Sequence, residues 1–249
     1  MTARERFEAL FGHKKCILGM LHLKGETDEE ILERAKREID IYMRQGLSAV
    51  IVENYFKQEE TKYAEKVLRY LQSFRRDVTY GVNMLEHDRE GFEAANAYDA
   101  KFIQLDSVAG HLYPQEDVDF GRTLENWRAN TRALVFGGVR FKYQPYHSGR
   151  SLKEDLALGM VRSDAIVVTG EGTGMETSID KVKQFRELMG EFPLIVGAGM
   201  TPENAGERLR VADGAIVGSY FKDNYKDNGD VDEDHVRRFM EAVERDVME

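Results

Sequence analysis

Glu53, Asp106 and Lys142 each end a run of apolar residues. An ionisable group in that position must be paired or solvated, because a bare buried charge is costly. Two carboxylates brought near one another could divide the work of general base and general acid, with their pKa values pushed apart by proximity. Lys142 could form a Schiff base with a carbonyl substrate, or hold a phosphate or enolate oxygen. His22 follows Leu21 at the end of another apolar run, where an imidazole can transfer protons or simply hydrogen-bond a neighbouring loop. Asn54, Asn83, Thr169 and Glu171 occupy similar ends and complete a polar set. The competing reading is an ion pair of Lys142 with Glu53 or Asp106 that does no chemistry.

The segment LIVGAGMTPENAGERLRVADGAIVGSYFK, residues 194–222, adds a second kind of site. It reads as strand, glycine turn, helix, strand and Gly-Ser turn. Thr201 takes the N-cap position and Pro202 the first helical position, where a missing N–H costs nothing. Gly197, Gly199, Gly218 and Ser219 leave backbone amides uncovered by side chains, so a phosphate can approach them closely. The turn Gly170-Glu171-Gly172-Thr173-Gly174 is a further glycine-rich loop. It is a poor dinucleotide fingerprint because the next strand ends in glycine and not in an acidic residue. Gly172 and Gly174 are therefore read as extra amides or as a substrate loop. Tyr113, Tyr143 and Tyr146 could stack on a ring or pack their own loops. No cofactor is expected. A divalent metal on His22, Glu53, Asp106 and His147 is left open, though no H-x-x-x-H or C-x-x-C spacing supports it. Of the loop histidines, His147 is the nearest to the expected mouth, and a solvent-exposed side chain is its simpler reading.

These residues need elements to hold them. Strand-like runs fall at 16–21, 48–52, 78–85, 102–105, 134–142, 165–168, 194–196 and 215–217. Amphipathic helix patterns separate them, which argues for a parallel sheet wound with helices. After the first strand, Thr27-x-x-Glu30 makes a capping box, and Ile31, Ala35, Ile39 and Tyr42 form one stripe. Further helices are read from Ala64, Val67, Leu68 and Leu71, from near Asp88, around Trp127, and over 153–160, 178–189 and 233–247. A loop is expected over 106–121, and a short extra helix over 219–222. Eight βα units favour an α/β fold, a single (β/α)8 TIM barrel domain over residues 1–249, with phosphate held after strands 7 and 8.

Composition agrees with that size and narrows the partners. The chain has 249 residues, 42% hydrophobic and 32% charged, the range of globular proteins. A net charge of −10, with Lys and Arg scattered, argues against nucleic acid. No apolar run reaches transmembrane length, so an integral membrane protein is not expected. The N-terminal stretch reads as a short amphipathic helix and not as a signal peptide. The single cysteine, Cys16, excludes an intrachain disulfide and points to a reducing, cytoplasmic setting. A homodimer or larger homo-oligomer is left open.

The segments ILGMLHL (17–23), AVIVENYF (49–56), GVNML (81–85), DAIVVTGEGTG (164–174) and VGAGMTPEN with ADGAIVGSYFK (196–222) resemble the BtpA/SgcQ family. Its founding member is described as a photosystem I biogenesis protein. The resemblance implies a TIM barrel of the ribulose-phosphate-binding type. It also implies either processing of sugar phosphates or nucleosides, or support of membrane-complex assembly. The chain departs from the family pattern in three places. LKGETDEE after His22 lacks a proline-rich stretch, Asp106 replaces the usual Asn, and Gly138 and Tyr143 flank Lys142 where the family has Asp and His. Those departures imply a different substrate or a member without catalysis. The expected function is an isomerase- or lyase-type enzyme acting on a small phosphorylated ligand, a sugar phosphate or a nucleoside-derived phosphate. The alternatives are a non-catalytic assembly factor and a sugar-phosphate-binding sensor.

Overall fold

The computed structural model describes residues 1–247, so Met248 and Glu249, the last two residues of the expected domain, lie outside the described residues. Eight parallel strands form a closed barrel in sequence order. They are β1 (Cys16–His22), β2 (Ala49–Glu53), β3 (Tyr80–Asn83), β4 (Phe102–Ala109), β5 (Leu134–Val139), β6 (Ala165–Val168), β7 (Leu194–Gly197) and β8 (Gly214–Val217). The last pairs with the first, Cys16 opposite Gly214 through Gly19 opposite Val217. Helices α2 (Asp28–Arg44), α3 (Lys62–Phe74), α4 (Asp88–Tyr98), α5 (Pro114–Ala129), α6 (Leu152–Arg162), α7 (Ile179–Met189), α8 (Pro202–Leu209) and α9 (Glu233–Val247) follow the strands in turn. No helix among the described residues is long and apolar enough to cross a membrane.

Three strands differ from the sequence reading by more than one residue. β3 is shorter than 78–85, because Val78 N–H closes a turn on Arg75 and His87 N–H closes another on Met84. β5 stops at Val139, because Arg140 takes a left-handed φ of 49° and turns the chain. Lys142 therefore lies in a loop beyond the strand. β4 runs past Leu105 to Ala109, with a register shift against β5 between those residues. A polar Asp106 suggested a strand end, yet Val108 and Ala109 are fully buried. Gly138 accommodates this bulge: a side chain there would overlap the backbone oxygen of Asp106. The expected loop over 106–121 is thus strand to Ala109 and helix from Pro114.

Two apolar layers hold the ring. One lies between strands and helices, with Ile31, Ala35, Ile39 and Tyr42 of α2 and Ala64, Val67, Leu68 and Leu71 of α3 facing inward. The other fills the barrel with Leu18, Met20, Ile51, Phe102, Phe136, Val167, Ile195 and Ile216. Its N-terminal end is plugged by α1 (Ala3–Phe11), capped by Thr2 and Glu5. Phe7 is 2% exposed, and Phe11 meets Phe102 edge-on with ring centroids 6.0 Å apart. Burying a side chain such as Phe7 contributes on the order of 2 kcal/mol. With that end closed, access is from the carboxyl ends of the strands.

Candidate functional site

At that carboxyl end lies a cavity of about 640 Å³. The register sets His22 beside Glu53 and Glu53 beside Asn83, so the ends of β1, β2 and β3 form a row that Asp106 on β4 continues. His22 Nε2 is 3.3 Å from Glu53 Oε2. Asn83 Nδ2 donates to Glu53 Oε1 at 2.8 Å and to Asp106 Oδ1 at 3.3 Å. All three of His22, Glu53 and Asn83 are buried.

Burial sets the protonation of this row. It pushes Glu53 up to about 8, with the neighbouring Asp106 charge adding to the effect and Lys142 opposing it. Asp106 is raised by burial too, while Asn83 and Lys142 hold it down. His22 is driven down to about 3, first by burial and then by the charge of Lys222. The His22–Glu53 contact is therefore a hydrogen bond between neutral groups and not an ion pair near pH 7. Its direction follows from His22 Nδ1, which is 3.3 Å from the carbonyl oxygen of Asp227. An N–H on Nδ1 donates to that carbonyl, leaving Nε2 to accept the Glu53 proton. A carboxyl raised in this way favours its protonated form, one requirement for a general acid.

Lys142 faces this row from the loop after β5. Its N–H donates to Thr169 Oγ1 at 2.9 Å, and its Nζ donates to Thr173 Oγ1 at 2.9 Å. Tyr143 takes the Thr173 N–H on its hydroxyl at 2.8 Å, which ties the loop after β5 to the loop after β6. Gly174 of the loop after β6 and the turns after β7 and β8 complete the wall, with Gly197, Gly199, Gly218 and Ser219 also lining the cavity. Among the described residues, the N–H groups of Gly199, Met200, Ser219 and Tyr220 have no hydrogen-bond partner within the chain. Gly199 has a φ of 62°, and any side chain on it would overlap the Glu176 backbone. At α8 the Thr201 N–H donates to Asn204 Oδ1 at 2.9 Å. The short helix after β8 is a 3-10 turn, Ser219–Phe221.

Of the residues singled out from the sequence, His22, Glu53, Asp106, Lys142, Thr169, Gly174, Gly197, Gly199, Gly218 and Ser219 line this one cavity. Asn83 bridges the carboxyls from behind. Asn54 is buried away from it, where Oδ1 accepts the Leu85 N–H at 2.7 Å and joins the loops after β2 and β3. Glu171 is exposed and Gly172 packs beneath the Tyr143 hydroxyl, and neither reaches the cavity. His147 is exposed and stacks on Tyr113, ring centroids 4.4 Å apart. Tyr146 donates to the Arg140 carbonyl at 3.3 Å. No group of three His, Cys, Asp or Glu side chains among the described residues is gathered to hold a metal ion.

Four participants were missed. Tyr55 donates to Asp227 Oδ2 at 2.6 Å and stacks on His22 at 4.6 Å. Tyr225 and Gln104 line the cavity. Gln104 could have been found by alternation, since it precedes Asp106 by two on the same strand. Asp227 gave no signal, because it belongs to the polar stretch KDNGD.

Comparison with known proteins follows this geometry closely in coverage. The pattern that defines the BtpA family matches residues 13–245. An uncharacterized protein of Thermococcus kodakarensis is 30% identical over 92% of this chain and 95% of its own length. The photosystem I biogenesis protein BtpA of Synechocystis is 22% identical over 91% of this chain and 87% of its own. Among solved structures, thiamine phosphate pyrophosphorylase from Pyrococcus furiosus superposes with a TM-score of 0.63 at 17% identity, covering 96% of this chain and 99% of that one. Phosphoribosylanthranilate isomerase from Thermotoga maritima gives 0.59 at 16% identity, over 93% and 99%. At these identities the structures share the fold alone.

Proposed function

The chain belongs to the BtpA family, and we propose that it is a cytoplasmic enzyme with isomerase- or lyase-type acid/base chemistry on a small phosphorylated ligand, a sugar phosphate or a nucleoside-derived phosphate. The observation that carries this reading is the unpartnered N–H groups of the turns after β7 and β8, which share one cavity with the buried Glu53 and half-buried Asp106 carboxyls. The amides would hold the phosphate. The far end of the ligand would then meet Glu53, Asp106 and Lys142. In isomerisation Asp106 takes the proton from the carbon beside the carbonyl and Glu53 gives one to the carbonyl oxygen, leaving an enol; in carbon–carbon cleavage Asp106 takes the hydroxyl proton instead, and the pair of the breaking carbon–carbon bond forms the same enol. Lys142 steadies the oxygen as its charge grows. The two structural neighbours, each named for a phosphorylated compound, support the ligand class by analogy.

A thermal-shift screen of phosphorylated sugars and nucleotides, repeated with divalent metals, tests the reading. A ligand that binds the folded state raises the melting temperature by mass action. Glu53→Gln is expected to keep that shift and to lose turnover by at least a hundredfold. A panel without any shift, or a Glu53→Gln enzyme with wild-type turnover, ends the proposal. The Synechocystis relative's name supports a second reading, an assembly factor for a membrane complex. Recovery of a stoichiometric membrane-protein partner, with no phosphate-dependent shift, favours the assembly factor.

A further inference from the structure

Gln104 precedes Asp106 by two residues on β4, so both side chains face the barrel interior. It is 5% exposed and lines the cavity beside Met20, Val167 and Ile216, which are apolar. Its Oε1 is buried and has no hydrogen-bond partner among the described residues. Its amide lies toward the Asp106 carboxyl and helps hold that group's pKa down. This fixes the orientation, because a swapped amide would set oxygen against oxygen. Buried acceptors are nearly always paired, and one left bare is costly.

We propose that Gln104 is a specificity-determining residue whose Oε1 accepts a hydrogen bond from a substrate hydroxyl. This deepens the phosphate-cradle reading above and rests on it. The ligand class is then a phosphorylated sugar or polyol with a free hydroxyl at the end remote from phosphate. An alkyl tail would leave Oε1 bare. A carboxylate tail would put acceptor against acceptor beside Asp106.

Titration calorimetry on the full chain separates the two layers of the proposal. The probes are inorganic phosphate, ribose 5-phosphate and fructose 6-phosphate. Gln104→Met is expected to bind inorganic phosphate as the wild type does and its preferred sugar phosphate about tenfold more weakly. Its melting temperature is expected to stay near that of the wild type, since the bare acceptor and the contact to Asp106 are lost together. Gln104→Asn, which withdraws the oxygen by one methylene, is expected to show the same selective loss. Equal sugar-phosphate affinities in wild type and both variants overturn the assignment to Gln104. So does a wild type that binds neither sugar better than inorganic phosphate. A wild type that binds no inorganic phosphate removes the cradle, and this inference falls with it.

Discussion

Glu53 and His22 make opposite demands on pH. Glu53 has a folded pKa near 8, above its ordinary 4.5. Its contribution to stability is therefore whole below about pH 4.5 and is lost as pH rises through 8. His22 has a folded pKa near 3, below its ordinary 6.5, so its contribution is whole above about pH 6.5 and is lost as pH falls through 3. Chemical denaturation across pH is expected to show Glu53→Gln gaining on the wild type from pH 5 to 8, then levelling off. His22→Gln is expected to flatten the acid limb between 6.5 and 3. Wild-type and Glu53→Gln curves that run parallel would exclude the assignment of a neutral Glu53. The positions of His22, Glu53 and Asp106 were legible in the sequence, because each follows an apolar run. Their protonation was not, because it depends first on burial and then on groups far along the chain, such as Lys142 for Glu53 and Asp106 and Lys222 for His22.

Among the elements, the loop after the Ser219–Phe221 turn is held by an unusual anchor. Lys222 is fully buried, and its Nζ donates to Glu38 of α2 at 3.1 Å. A second cation, Arg34, lies 3.3 Å from the same carboxylate. Lys222 also bridges Val231 in antiparallel fashion, which closes residues 222–231 into a strap beside the cavity. Lys222→Met would leave Glu38 with Arg34 alone. The expected cost is about 3 kcal/mol in a denaturant titration, and Glu38→Gln/Lys222→Met is expected to recover most of it. A single variant within about 0.5 kcal/mol of the wild type would show the anchor to be inert. The sequence revealed the strands because alternation of helix and strand patterns is local. It concealed the β4 bulge, since a polar Asp106 inside a strand looks like its end. It concealed the strap as well, because a buried lysine has no local signature.

For the whole molecule, the barrel sets an apolar plug at one end and the proposed site at the other. Phe7, in the plug at the N-terminal end, stacks toward Phe136 with ring centroids 6.1 Å apart. Phe7→Ala is expected to cost about 3–4 kcal/mol of unfolding free energy, read by denaturation, with ligand affinity unchanged. A matching loss of affinity would mean that the two ends communicate. The closed ring also has a join, where β8 meets β1. At its upper end Gly218 lies against the His22 imidazole, which in turn reaches Asp227. The chain therefore fastens its beginning to its end beside the cavity itself. A fracture along that join would spill the two sides of the cavity apart, so no partly opened barrel keeps the turns after β7 and β8 beside the row of His22, Glu53 and Asn83.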